Sequence, residues 1–151
     1  MRTTLALLAA VLITACVSVP RSGLDRIVLS AERDRYAPAD SVTLRLANGT
    51  PSEIGYNLCF AKLERRDGPA WTPHRGCVHY TSEYERSQEM PLCDVCEAVQ
   101  YRMRPSGKDR YTFRLTESLP AGVYRFRLSI EVDTLDSSVE TDPFVVGGSA
   151  G

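Results

Sequence analysis

Five cysteines carry most of the reactive chemistry this chain could have: Cys16, Cys59, Cys77, Cys93 and Cys96. The Cys93-Asp94-Val95-Cys96 spacing is that of a redox pair or of half a zinc site, and Cys77-Val78-His79 supplies two further candidate ligands. A redox pair of this kind opens a helix beside a βαβ unit, and no such pattern surrounds it. Zinc would need thiols kept reduced. In an oxidising compartment the first expectation for Cys59, Cys77, Cys93 and Cys96 is instead two disulfides. Four cysteines allow three pairings, and a hairpin turning at Asp67-Gly68 would set Cys59 nearly opposite Cys77, leaving Cys93 with Cys96. His74 and His79 are the only histidines, and no serine, cysteine or aspartate is arranged around them as a nucleophile with an oriented base. The chain is therefore expected to be no enzyme and to need no cofactor or metal. Asp133, Asp136, Glu140 and Asp142 could offer oxygens to calcium, but they lack a defined ligand spacing and read as solvated loop charge. Asn48-Gly49-Thr50 matches a glycosylation acceptor.

Cys16 stands apart from the other four. It ends the apolar run Leu5 to Ala15, which follows the single early charge of Arg2. A charged start, an apolar stretch of about ten residues and small residues before a cut form an export signal. The run is too short to span a membrane, which takes roughly 20 apolar residues. Ile13-Thr14-Ala15-Cys16 resembles the lipobox of bacterial lipoproteins. The resemblance implies cleavage after Ala15, a diacylglycerol on the Cys16 thiol and an acyl chain such as palmitate on its new amino group. Two or more chains anchor stably, at about 0.8 kcal/mol per buried methylene. Val17 follows the cysteine where the inner-membrane retention signal of many Gram-negative lipoproteins has aspartate. The expected location is thus a lipid-anchored one, at the outer membrane facing the periplasm if the host has two membranes.

Residues 1–15 then form the signal peptide, 16–26 a lipidated tether, 27–146 one folded domain and 147–151 a loose tail. The formal charge of −1 gives no reason to expect nucleic acid or an anionic membrane surface as a partner. Ile27-Val28-Leu29 reads as a first strand, and Ser41 to Leu46 alternates strictly, with Val42, Leu44 and Leu46 on one face. Ile54 to Glu64 carries apolar residues on both faces and is expected to be one central strand. Asp67-Gly68-Pro69 predicts a turn, after which Trp71 starts a returning strand. Residues 81–94 have no clear period and read as a loop, and Val95 to Met103 as a strand. Arg110 to Leu115 and Val123 to Val132 alternate strongly, and Phe144-Val145-Val146 closes the domain. About seven or eight strands without a helical period predict an all-β sandwich with Greek-key connections. Pro120-Ala121-Gly122-Val123-Tyr124 looks like a tyrosine corner, in which a tyrosine hydroxyl braces the crossing between sheets. Arg45, Arg114, Arg125 and Arg127 fall on outward faces, as a solvated surface or as a docking face for an acidic partner.

Tyr56-Asn57-Leu58-Cys59-Phe60, Leu63-Glu64-Arg65-Arg66, Trp71, Pro120 to Phe126 and Asp142 to Val146 form a series. It resembles bacterial immunoglobulin-like domains of small exported proteins. The resemblance implies an immunoglobulin-like sandwich without catalytic residues, in which Trp71 and Tyr124 are structural. It also implies a Cys59–Cys96 bridge, leaving Cys77 with Cys93; bridges of this size are worth roughly 3–4 kcal/mol each in the chain-entropy account. The expected function is a membrane-anchored module that binds a protein partner or supports the envelope. A proteinase inhibitor presenting residues 81–94, and a metal-binding envelope protein, are the alternatives.

Overall fold

The computed structural model describes residues 23–74 and 99–147. Eleven strands run through them: β1 (Ile27–Ala31), β2 (Arg35–Tyr36), β3 (Ser41–Asn48), β4 (Ile54–Tyr56), β5 (Lys62–Asp67), β6 (Ala70–Pro73), β7 (Tyr101–Met103), β8 (Lys108–Arg114), β9 (Gly122–Val132), β10 (Leu135–Glu140) and β11 (Phe144–Val146). Strand β3 shows how the sequence sets the layers. Its side chains alternate, so Val42, Leu44 and Leu46 are buried while Ser41 and Arg45 are exposed. In β9 the same period sends Tyr124, Phe126, Leu128 and Ile130 inward.

Two sheets result. One is β1-β3-β8, antiparallel, with β3 in the middle. The other is organised on β9, the longest strand. One edge of β9 takes β4 at Ile54↔Val132 and then β5 at Lys62↔Arg127; the other takes β10 at Leu135↔Val132 and then β11 at Phe144↔Tyr124. Outside these lie β7 on β4, β6 on β5 and β2 on β11. The chain moves from one sheet to the other between β1 and β2, and again before β3, β4, β8 and β9. This is an immunoglobulin-like β-sandwich. Aromatic rings close the space between the sheets, with Phe113 of β8 5.1 Å from Phe126 of β9, and Phe126 stacked 5.8 Å from Phe144. Each such ring, fully buried, is worth roughly 1.5–3 kcal/mol of transfer free energy.

Among the described residues eleven strands stand where the sequence predicts seven or eight: β2 is additional, β7 begins only at Tyr101 within the expected Val95 to Met103, and two further segments differ more deeply. Ile54 to Glu64 is not one strand: Asn57 stops β4, and Leu58–Phe60 makes a 3-10 turn before β5. The Asn57 side chain accepts the Cys59 N–H at 3.0 Å and donates to the Val99 carbonyl at 2.7 Å, so local hydrogen bonds replace the ladder. Both halves still pair with β9, which keeps the segment central. Asp133 to Asp142 is not a loop either, since β10 pairs with β9 from Leu135↔Val132 to Glu140↔Arg127. The turn before it holds Asp133 at φ 50 and Thr134 at φ 68. Both central residues are left-handed, as a tight hairpin requires, although neither is the glycine that usually marks one. Within β10 only Val139 is buried and Leu135 is 71% exposed, so no apolar alternation announced the strand.

Tyr124 is fully buried, and its hydroxyl donates to the Pro120 carbonyl at 2.6 Å. That bond ties the start of β9 to the loop arriving from the other sheet. Tyr124→Phe is expected to leave the carbonyl short of a partner and to cost about 1–2 kcal/mol. Urea unfolding of the two proteins side by side would show this as a lower midpoint with an unchanged slope.

Candidate functional site

Of the cysteines, Cys59 alone is among the described residues. It is buried on the turn between β4 and β5, and it is disulfide-bonded. Its sulfur lies 3.2 Å from the Tyr111 hydroxyl. Cys16, Cys77, Cys93, Cys96 and His79 lie outside the described residues, as does the 81–94 loop. The partner of Cys59 is therefore outside them too, and with it the expected Cys59–Cys96 and Cys77–Cys93 pairing. Among the described residues no group of three or more His, Cys, Asp or Glu is placed to hold a metal ion.

The four carboxylates read as one loop cluster are separated by the strand they partly belong to. Asp133 accepts from the Ser52 hydroxyl at 3.2 Å, while Glu140 lies 3.9 Å from Arg125 and 3.8 Å from Arg127. Asn48, the would-be glycosylation acceptor, is 1% exposed, with its side-chain amide bonded to protein carbonyls.

His74 follows β6 at the rim of the core, half-buried and edge-on to Tyr124, with ring centroids 5.8 Å apart. Burial, and secondarily the charge of Arg65, holds its imidazole below the usual value near 6.5. The unfolded chain thus takes up this proton first as pH falls. The stability His74 contributes is fully present above about pH 6.5 and is lost on acidification through its lower folded value. Unfolding midpoints measured from pH 7 to 5 are expected to fall, and His74→Gln should flatten that fall.

The outward faces of the two sheets differ sharply. On the β9 sheet, Glu64 is nearly buried and accepts from Arg125 Nε at 2.7 Å; their side chains are 7% and 20% exposed. The Arg125 guanidinium lies over the Trp71 ring at 4.5 Å, and Arg127 stands 3.9 Å from Glu64. These charges join β5, β6, β9 and β10 and are matched among themselves. Arg125 and Arg127 are therefore not the free solvated face that alternation alone predicts. Toward the β4 end of this face, Gly55, Gln100, Ser129, Glu131 and Asp136 line a hollow of about 320 Å³. Arg102 pairs with Glu131 there at 2.7 Å, and this hydrogen bond holds the Glu131 carboxyl below the usual range.

The outward face of β1-β3-β8 carries surplus positive charge. Register places Arg45 directly opposite Arg110 and Ala47 opposite Lys108, with Ser41 opposite Arg114 at the far end. Like charges directly opposed across strands are unfavourable. The carboxylate paired on this face is Glu32, which Arg45 holds at 2.6 Å. That hydrogen bond, together with the charges of Arg45 and Arg110, keeps the Glu32 carboxyl below its usual range. Val28, Arg45, Ala47, Lys108, Asp109 and Arg110 line an open hollow of about 580 Å³, with Val28 52% exposed. Chemically this is an open cationic surface around an exposed valine, suited to holding anions.

No family model matches the chain, and no curated protein matches it significantly. Among solved structures it is similar to a chain in the complex of the Salmonella enterica SafA pilin with the SafB chaperone. The TM-score is 0.45 at 14% identity, covering 82% of this chain and 55% of that one. It is also similar to the sporulation control protein Spo0M of Bacillus subtilis, with a TM-score of 0.43 at 12% identity, covering 82% and 49%. The chain spans about half the length of each.

Alternation identified Arg45 and Arg114 as outward but grouped them with Arg125 and Arg127, which belong to the opposite face. Lys108 and Arg110 were missed. Their signal is present in the sequence, since Lys108, Arg110, Thr112 and Arg114 recur at every second position of β8.

Proposed function

We propose that this chain is a lipid-anchored protein of the bacterial envelope whose immunoglobulin-like sandwich acts as a non-catalytic binding or structural module. The observation that carries the anchor is the placement of Ile13-Thr14-Ala15-Cys16 at the end of the Leu5–Ala15 run, a short tether before β1 opens at Ile27. The observation that favours a binding role is the contrast between the two faces. The charges around Glu64 and Arg125 are matched internally, while Arg45, Lys108 and Arg110 outnumber the nearby carboxylates of Glu32 and Asp109. An envelope partner that is anionic fits the second face. The outer membrane is the proposed location, with the domain in the periplasm.

Fractionation of cells producing the full chain tests the anchor. The wild-type protein is expected in the membrane fraction and labelled by radioactive palmitate, while Cys16→Ser is expected in the soluble exported fraction, folded and unlabelled. Equal partitioning of the two would overturn the proposal.

A further inference from the structure

We infer that the outward face of β1-β3-β8 docks on the headgroups of an anionic phospholipid bilayer, so that the domain lies against the membrane that holds its lipid. The inference rests on the anchor proposed above. Three features of the face support it. Arg45, Lys108 and Arg110 converge around the exposed Val28 and outnumber the nearby carboxylates of Glu32 and Asp109, an arrangement whose cross-strand repulsion an anionic surface relieves. The face belongs to a regular three-stranded sheet, and its hollow is open, which fits a broad surface better than a single small ligand. Strand β1 is both an edge of this sheet and the first strand after the tether. Gly23–Arg26, expected as tether, is a 3-10 turn with Leu24 packed on the core, so the tether runs only from Cys16 to Gly23 and spans at most about 25 Å, at roughly 3.3–3.6 Å per residue. The cationic sheet is thus kept within a domain's breadth of the lipid surface. The other sheet also sets Lys62 opposite Arg127, but its Arg102, Arg125 and Arg127 each face a carboxylate, of Glu131, Glu64 and Glu140.

The test uses the exported Cys16→Ser chain, which carries no lipid of its own, and vesicles of phosphatidylcholine with or without phosphatidylglycerol. Co-sedimentation at low ionic strength is expected only with the phosphatidylglycerol vesicles, and it should weaken as salt is added. An exposed cation near an anionic membrane is worth about 1 kcal/mol, or about fivefold in binding. Arg110→Ser should therefore weaken binding about fivefold, and Lys108→Ser with Arg110→Ser roughly 25-fold. Because Arg110 opposes Arg45, Arg110→Ser should leave the unfolding midpoint unchanged or raised, which separates lost charge from lost fold. Equal binding to both vesicle types, no binding to either, or indifference to the double substitution would overturn the inference. So would capture by polyglutamate without vesicle binding, which would assign the face to an acidic protein. Fractionation of the wild-type chain reports on the anchor independently, so the two readings can fail separately.

Discussion

Asn48→Asp is expected to destabilise the domain by about 3–5 kcal/mol, enough to unfold a large share of it at ordinary temperature. Asn48 is buried at the end of β3, where both ends of its amide are used. Nδ2 donates toward the carbonyls of Ser52 at 2.9 Å and of Met103 and Arg104 at 3.2 Å. Oδ1 accepts the Thr50 N–H at 3.0 Å and the Thr50 hydroxyl at 2.6 Å. The backbone adds Asn48 N–H to the Gly107 carbonyl and Ser106 N–H to the Asn48 carbonyl. One side chain therefore pins the turn after β3 to the turn between β7 and β8. An aspartate would keep the acceptor but aim a second carboxylate oxygen at three carbonyls, burying charge against like partial charge. Asn48→Ala, which removes the bonds without adding charge, should cost somewhat less, about 3 kcal/mol. Urea unfolding measures both, and a loss below 1 kcal/mol for the aspartate would contradict this role. The adjoining glycine is required by close approach. A Cβ on Gly49 would sit 2.7 Å from the Arg26 carbonyl oxygen, which already accepts the Gly49 N–H.

The second large effect lies at Glu64. Glu64→Ala leaves Arg125 partly buried over Trp71, with Glu140 at 3.9 Å as its remaining ion-pair partner among the described residues. A cation stripped of its carboxylate in such a place costs more than the pair gained on forming. The expected loss is about 2–3 kcal/mol. Replacing both partners, Glu64→Leu with Arg125→Met, should cost less than Glu64→Ala alone, because no charge is then left without its counter-charge. Thermal unfolding of the single and double variants decides the matter, and additive losses would show that the pair is not coupled.

Where one physical signal dominated, the sequence was readable. The alternation of Val42, Leu44 and Leu46 in β3 and of Tyr124 to Ile130 in β9 reflects burial of a single face, and both strands lie where that period puts them. Gly68 and Pro69 mark the β5–β6 turn because Gly68 takes φ 58 at no steric cost. Failures came where competing local bonds or solvent exposure erased the period. Asn57 is one polar residue inside an apolar run, yet its two hydrogen bonds are enough to split the strand. Strand β10 pairs through its backbone while facing largely solvent, so its Asp, Ser and Glu side chains read as loop. The faces needed register, which no single strand carries: Arg45 opposite Arg110, and Arg125 opposite Glu64, become visible only once the strands are paired.

The intact mass of the mature protein, extracted from the membrane fraction with detergent and left unreduced, decides whether lipid holds this domain in the envelope. The expected mass is that of a chain beginning at Cys16, heavier than its polypeptide by a diacylglycerol and one further acyl chain. A mass matching an unmodified chain, or one beginning at any other residue, would contradict the lipid anchor.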